Sequence, residues 1–173
     1  SIVKSTEGER EKAKKSVDEL ETLKKELETR SATESAALAF YELARTGRRR
    51  DVIEAFGKLR EKPLTRAELL MFTDLVEKAR SDLSVENYQV AMDHTRGGRW
   101  NEAAKAFEES LALSENGSHV PSVKLELAKT LRKLRRHREA IAILTPLSES
   151  SPNPEVLDDA MMLLAECLMD IEA

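Results

Sequence analysis

Alanine residues recur along this chain at an interval of 37 residues, the distance from Ala91 to Ala128. Ala165 continues the same column, and Ala103 and Ala140 form a second column with the same spacing. Self-similarity at a fixed period of this length is the sequence signature of stacked supersecondary units. The recurrence therefore constrains the fold more strongly than any single motif in the chain.

The physical role of these alanines follows from helix packing. Two helix backbones approach to roughly 8–10 Å only where the facing side chains are small. We therefore expect Ala91 to face Ala103 within one antiparallel helix pair, and Ala128 to face Ala140 within the next. Each pair buries one face internally and the other against its neighbour, which is the energetic basis of a solenoid.

The composition agrees with an all-α fold. Of the 173 residues, 40% are hydrophobic and 35% are charged, while only 4% are aromatic. A β-rich fold would need more aromatic residues, and 6 Gly and 5 Pro supply few of the turns that it would require. The net charge of −4 gives no indication of nucleic-acid or anionic-membrane binding. Cys167 is the only cysteine, which excludes an internal disulfide, and its apolar helix predicts an inert core thiol.

Start and stop signals predict eight helices. Gly47 is expected to end the first helix, and Pro121 lies where a first helical turn tolerates proline. The predicted N-terminal signals are the capping boxes Thr6–Glu9 and Thr65–Glu68, Asp82 or Ser84 before a separate helix, and Asn101. We expect a charged helical leader over 1–31, a degenerate repeat plus an extra helix over 32–83, and repeats over 84–173, the last one incomplete.

The leader contains leucines at three- and four-residue spacing, Leu20, Leu23 and Leu27. So short a seam leaves three interpretations open: a solvated single helix, a self-associating coiled coil, or a disordered end. The chain begins with Ser1 rather than methionine, which indicates a trimmed N terminus with room for a signal or membrane anchor upstream.

The repeated segments resemble the tetratricopeptide repeat, a helix–turn–helix unit of about 34 residues. The first repeat matches at Ala91, Gly98, Ala103 and Phe107. The second matches at Ala128 and Ala140, with Arg135 in place of the turn glycine and Leu144 in place of the aromatic residue. The longer period and the leader are similar to bacterial envelope members of the family, and leave the compartment open between periplasm and cytoplasm. The resemblance implies an α-solenoid.

In this family the concave groove is lined by outward positions of the first helix of each repeat. Carried onto this chain, the predicted partner-binding residues are Tyr88, Met92, Arg96, Leu125, Lys129, Arg132, Lys133 and Met162, with Thr95, Glu166 and Met169 beside them. Such a groove suits a peptide or protein segment with acidic and apolar residues. The resemblance thus implies a non-enzymatic protein-binding scaffold. The chaperone-type carboxylate clamp is not supported, because Tyr88 and Met92 replace its first Lys and Asn.

The alternative function is self-assembly through the leader or through the last helix. That helix is rich in Met and Leu, so either the chain stops within a repeat or the helix packs on another chain. No catalytic, metal-binding or cofactor-binding motif is present, and His94, His119 and His137 are interpreted as surface side chains. The basic run Arg132–Arg138 is interpreted first as solvated charge at a turn. Binding of an acidic protein partner is the second interpretation, and binding of nucleic acid is the third.

Overall fold

The computed structural model describes residues 2–173, with side chains from residue 3 onward, and this part of the chain is entirely helical apart from turns. Its helices are α1 (Ile2–Thr46), α2 (Arg49–Leu59), α3 (Arg66–Arg96), α4 (Trp100–Leu113), α5 (Val120–Lys133), α6 (His137–Ser150) and α7 (Pro154–Glu172). The predicted all-α class is therefore confirmed. The chain divides into two compact units, the first ending at Val76 and the second covering Glu77–Ala173.

In the first unit, the second half of α1 packs against α2 around Phe40, which is 4% exposed. The ring of Phe40 contacts Phe72 edge-on, with centroids 5.1 Å apart, and Phe56 at 6.0 Å. Edge-to-face pairs of this kind add stability beyond the area they bury. The three phenylalanines of this unit are therefore concentrated in one small core.

The first half of α1 has no such core. Every described side chain between residues 3 and 29 is exposed, including Leu20, Leu23 and Leu27 at 54–71%. The predicted continuation of the helix up to Gly47 is confirmed. The capping box at Thr6 is wrong, because the helix is already formed there and the Thr6 hydroxyl donates to the Val3 carbonyl at 2.9 Å.

The second predicted capping box is confirmed. The Thr65 amide donates to Glu68 Oε2 at 2.7 Å, and the Glu68 amide donates to Thr65 Oγ1 at 3.2 Å. Arg30 of α1 also pairs with Glu68, with Nη2 2.9 Å from Oε1. The hydrogen bond from Arg30, followed by those from Thr65, lowers the pKa of Glu68 from 4.5 to about 2.

The two helices predicted over 66–80 and from 84 onward form the single helix α3, so the count is seven rather than eight among the described residues. No glycine or proline interrupts this stretch, and Ser84 does not cap a helix. Its hydroxyl instead donates to the Ser110 carbonyl at 2.7 Å. The predicted cap at Asn101 is also wrong, because α4 begins at Trp100 and Arg99 is its N-cap residue.

In the second unit, α4 to α7 each pack on the next helix, and α5 also contacts α7. The alanines predicted to face one another, Ala91, Ala103, Ala128 and Ala140, are all 0% exposed. Phe107 and Leu144, which follow the second column by four residues, are also 0% exposed. The predicted burial of both columns is confirmed for these two repeats.

The third member of the first column behaves differently. Ala165 is exposed, and Leu168 is 48% exposed although Leu131, its counterpart 37 residues earlier, is 1% exposed. Ala91 and Ala128, by contrast, belong to one buried cluster that also contains Ala103 and Ala140. The residues of α7 that are buried, Val156, Ala160, Leu163 and Cys167, lie on a different face.

The turns after α3 and α5 have the same backbone structure. Gly98 and Arg135, again 37 residues apart, have φ of 69° and 58°. The Gly98 amide bonds to Thr95 O and the next amide to His94 O, at 3.0 and 2.9 Å. The equivalent amides at 135 and 136 bond to Arg132 O and Leu131 O at the same two distances. Both helices thus end in a Schellman motif, the arrangement that places a left-handed residue after a helix.

None of the helices described for residues 2–173 carries an apolar stretch long enough to cross a bilayer.

Candidate binding cleft between α5 and α7

A cleft of about 850 Å³ opens beside the end of α5, the turn that follows it, and α7. One face of α5 is buried through Leu127, Ala128 and Leu131. Lys129 and Lys133 of the same helix are exposed, and Arg132 is half-buried. The cleft is lined by Lys129, Arg132, Lys133, Arg135, His137, Leu163, Glu166, Asp170 and Ala173. The basic side chains come from α5, its turn and the start of α6, and both carboxylates come from α7.

Arg132 connects the two sides of this cleft. Its Nε donates to Asp170 Oδ2 at 2.7 Å, and its Nη1 donates to Glu166 Oε2. Glu166 and Asp170 are four residues apart, so both carboxylates lie on one face of α7. The hydrogen bond from Arg132 lowers the pKa of Asp170, and the same contact raises the pKa of Arg132. The ion pairs hold α5 and α7 together at the floor of the cleft.

Two further cations have no carboxylate of the described chain within ion-pair distance. Lys133 Nζ lies 5.9 Å from the ring centroid of Trp100, a weak cation–π contact. Arg135, the left-handed residue of the turn, is exposed. Lys129, by contrast, is paired with Glu126 at 2.8 Å. The cleft therefore has two positive charges, at Lys133 and Arg135, that are not in an ion pair with a described carboxylate.

His137 contributes a polar atom without a partner. Its side chain is 19% exposed, and its Nδ1 lies 3.7 Å from Asp170 Oδ2, beyond hydrogen-bond distance. Among the described residues this buried Nδ1 has no hydrogen-bond partner. Buried polar atoms are normally paired, and this nitrogen is one of the exceptions among the described residues.

The structure brings together part of the predicted groove. Lys129, Arg132, Lys133 and Glu166 line the cleft, and Met162, on the same helix as Glu166, is 61% exposed. Leu125 does not line an open groove: it is 5% exposed and belongs to the core. The reason is that α5 is covered on more than one side, by α4 and α6 and also by α7.

The groove residues predicted in the first repeat lie outside the cleft. Tyr88 packs on Phe107 with ring centroids 6.0 Å apart, and Met92 packs against the same core. Burial is the main reason that the pKa of Tyr88 is raised. Arg96 is exposed and pairs with Asp93, three residues before it, at 2.6 Å.

Sequence reasoning missed Arg135, His137 and Asp170 as residues of this cleft. Arg135 was identified as the replacement for the turn glycine, and its position at the mouth of a cleft depends on where α7 lies. The interpretation of His137 as a surface side chain is wrong, because its side chain is 19% exposed. Asp170 could have been found from its spacing of four residues after Glu166 on one face of the last helix.

A second polar cluster lies within the core. Ser84 and Ser110 are 0% exposed, and each hydroxyl donates to the carbonyl of the other residue at 2.7 Å. His119 is half-buried, and its Nε2 lies 2.7 Å from Ser84 Oγ. A Ser–His pair is typical of nucleophilic catalysis, but this hydroxyl is enclosed and fastens α3, α4 and the start of α5 together.

The chain matches no protein-family model. No curated protein is significantly similar to it. Within residues 2–173, no group of three or more His, Cys, Asp or Glu side chains is placed to hold a metal ion. The cleft between α5 and α7 is therefore the feature on which a functional interpretation depends.

Proposed function

We propose that this chain is a tetratricopeptide-repeat-like α-solenoid that acts as a non-enzymatic scaffold and binds an acidic, partly apolar peptide segment in the cleft between α5 and α7. The observation that carries this proposal is the surplus of positive charge at Lys133 and Arg135. Both line a concave surface, and no described carboxylate pairs with either of them.

The repeat interpretation has support from the backbone as well as from the alanines. The turns at Gly98 and Arg135 share φ and hydrogen bonds at an offset of 37 residues. Two successive helix pairs with the same close approach and the same turn are the basic unit of a solenoid. Solenoids present extended concave surfaces, which is where this family binds its ligands.

The chemistry of the cleft defines its ligand. Carboxylates of a peptide would pair with Lys133 and Arg135. Leu163 in the lining and Met162 beside it provide apolar contact. A volume of about 850 Å³ accommodates several side chains but not a folded domain. The residues lining the cleft include no Phe, Tyr or Trp side chain on which a nucleobase could stack, which favours a peptide.

A selection from displayed random peptides tests this proposal. We expect the peptides selected on the parent chain to be enriched in Asp, Glu and apolar residues. The double variant Lys133→Glu/Arg135→Glu should weaken their binding at least tenfold in fluorescence anisotropy, and added salt should weaken binding to the parent.

The matched control is Lys105→Glu, a charge reversal at an exposed position of α4 outside the cleft. This variant should bind the selected peptides like the parent. Equal binding by the parent and the double variant, or selection of basic peptides, would contradict the proposal. Circular dichroism of each variant verifies that the helices are retained.

A further inference from the structure

A second cavity, the α1–α2 groove, has a volume of about 270 Å³ and lies between two helices of the first unit. It shares no lining residue with the cleft between α5 and α7. Phe40 and Leu59 line the groove and are only 4% and 5% exposed, so they form its floor. Leu43 and three alanines complete the apolar lining, and the two remaining lining residues are lysines.

The groove is open because much of its wall is made of alanine. α1 and α2 pack on each other, and Ala36 and Ala39 line the groove from α1 while Ala55 lines it from α2. In the repeats, by contrast, alanines such as Ala103 and Ala140 are 0% exposed. Ala39 is exposed, and Ala36 and Ala55 are half-buried. The space beside these small side chains is therefore not filled by another part of the described chain.

Two cations border this apolar groove. Lys58, in the last turn of α2, and Lys62, four residues later, both line it and are both exposed. Neither ammonium lies within ion-pair distance of a carboxylate among the described residues. The methylene stem of a lysine can lie along an apolar surface while its ammonium stays in water. The groove therefore combines an apolar floor with positive charge at its rim, although the whole chain has a net charge of −4.

The size and chemistry of the groove favour an unbranched apolar chain with one anionic end. A water molecule occupies about 30 Å³, so a volume of about 270 Å³ holds roughly nine groups of that size, and a methylene group is comparable. An extended peptide would bring backbone N–H donors into the groove, where no lining side chain is an acceptor. An α-helix, about 10–12 Å across with its side chains, is too wide to enter a cavity of this volume.

We propose that the α1–α2 groove binds a medium-chain fatty carboxylate, with the hydrocarbon chain over Phe40 and Leu59 and the carboxylate beside Lys58 and Lys62. Decanoate has a hydrocarbon chain of the length that the volume allows. Binding removes apolar surface of both the chain and the groove from water. The carboxylate stays at the rim, where it keeps part of its hydration, so the cost of burying a charge is avoided. This site goes beyond the proposed peptide binding, because it lies in a different unit and takes a different class of ligand.

The test is an NMR titration of the full chain, labelled at its alanine methyl groups, with sodium decanoate below the concentration at which it forms micelles. The methyl signals of Ala36, Ala39 and Ala55 should shift and reach saturation, whereas those of Ala103 and Ala140 should not move. Decylammonium, which has the same chain length and the opposite charge, should bind at least about tenfold more weakly. Decanoate shifts that are absent, or that appear equally at Ala103, would overturn the proposal, and so would equal binding of the two amphiphiles.

Charge variants locate the anionic end of the ligand. Lys58→Glu/Lys62→Glu should weaken decanoate binding at least about tenfold and reverse the preference, so that decylammonium binds more tightly. The matched control Arg60→Glu/Lys78→Glu makes the same change in net charge at exposed cations that do not line the groove, and it should bind decanoate like the parent. An unchanged preference in the first variant, or an equal loss in the control, would overturn the proposal.

Steric variants locate the hydrocarbon chain. Ala39→Leu/Ala55→Leu should fill the groove and abolish binding of both amphiphiles, whereas Ala67→Leu, at an exposed position of α3 outside the groove, should leave binding unchanged. Leucine is a good helix former, and circular dichroism verifies that each variant is folded. Decanoate binding that survives the double substitution would contradict the assigned site.

The cleft between α5 and α7 is tested separately. Lys133→Glu/Arg135→Glu, which should lose peptide binding, should still bind decanoate like the parent. Loss of decanoate binding in this variant would assign the fatty carboxylate to the cleft and overturn the proposal. The two ligands use different residues and different measurements, so failure of one proposal does not affect the other.

Discussion

The leader and the repeat pairs are made from the same residue types but differ in what those residues contact. Leucines of the leader are more than half exposed, whereas Leu131 and Leu144 of the repeats are at most 1% exposed. The repeats place an alanine at each point of closest helix approach, and all four of these alanines are buried. A hydrophobic seam alone does not make a core: a neighbouring helix that can approach closely is also required.

The largest contrast is expected from loss of a large side chain in each region. Phe107→Ala should destabilise the second unit by about 3–5 kcal/mol, because the ring is fully buried and leaves a cavity. Leu23→Ala should change the unfolding free energy of the dilute chain by less than about 0.5 kcal/mol. Urea unfolding followed by circular dichroism measures both. A leader variant as damaging as the core variant would show that the leader is packed in solution.

Adding a side chain to the alanine columns gives a smaller contrast. Ala140→Leu should lower the unfolding free energy by about 1–3 kcal/mol, because Ala140 is fully buried and a larger side chain would overpack the core. Ala165→Leu, at the corresponding spacing in an uncovered helix, should be nearly neutral in dilute solution. Thermal unfolding of the two variants provides the comparison. Similar losses from both would mean that Ala165 is covered.

The two equivalent turns should respond in opposite directions. Gly98→Ala should lower the unfolding free energy by about 1 kcal/mol, because φ at this residue is 69°. A Cβ there meets no other atom within 4 Å, so the cost comes from the backbone conformation rather than from a clash. Arg135→Gly should raise the unfolding free energy by somewhat less than about 1 kcal/mol. Glycine relieves the left-handed backbone strain, but it also increases the entropy of the unfolded chain. The same Arg135→Gly change should weaken binding of acidic peptides. Stability and anisotropy measurements on one preparation test both effects.

The smallest effect concerns pH in the first unit. Because hydrogen bonds from Arg30 and, after it, Thr65 lower the pKa of Glu68 from 4.5 to about 2, the carboxylate contributes stability that is present above pH 4.5. That contribution should be lost as the pH falls towards 2. Carbon-detected NMR titration should place the midpoint of Glu68 near 2, and Arg30→Gln should return it towards 4.5. A midpoint near 4.5 in the parent would contradict the ion pair.

Periodic and steric features of the fold were predictable from sequence. The alanine columns, the Thr65–Glu68 capping box and the end of α1 before Gly47 each depend on residues close together or at a fixed repeat. The sequence predicts two helices where the structure has the single helix α3, because Ser84 resembles an N-cap residue in sequence. Only tertiary structure shows that its hydroxyl is used across an interface.

The cleft was predictable only in part. Lys129, Arg132 and Lys133 follow from the repeat register, since outward positions of α5 are fixed by its buried ones. Asp170 and His137 depend on how closely α7 approaches α5, which no local pattern determines. The prediction of Leu125 in the groove is wrong, because its burial depends on tertiary contacts that helical periodicity alone does not determine.

The reciprocal hydrogen bonds between Ser84 and Ser110 have a consequence for helix alignment. Alanine surfaces are smooth, and several registers of α4 along α3 would bury similar apolar area. Two hydroxyls that each donate to the carbonyl opposite, at 2.7 Å, are satisfied in one register only. A slip by one helical turn would leave these buried groups unpaired, at a cost of about 1–3 kcal/mol for each. The next repeat has Pro121 and Leu147 at the corresponding positions, so its register is selected by shape rather than by polarity.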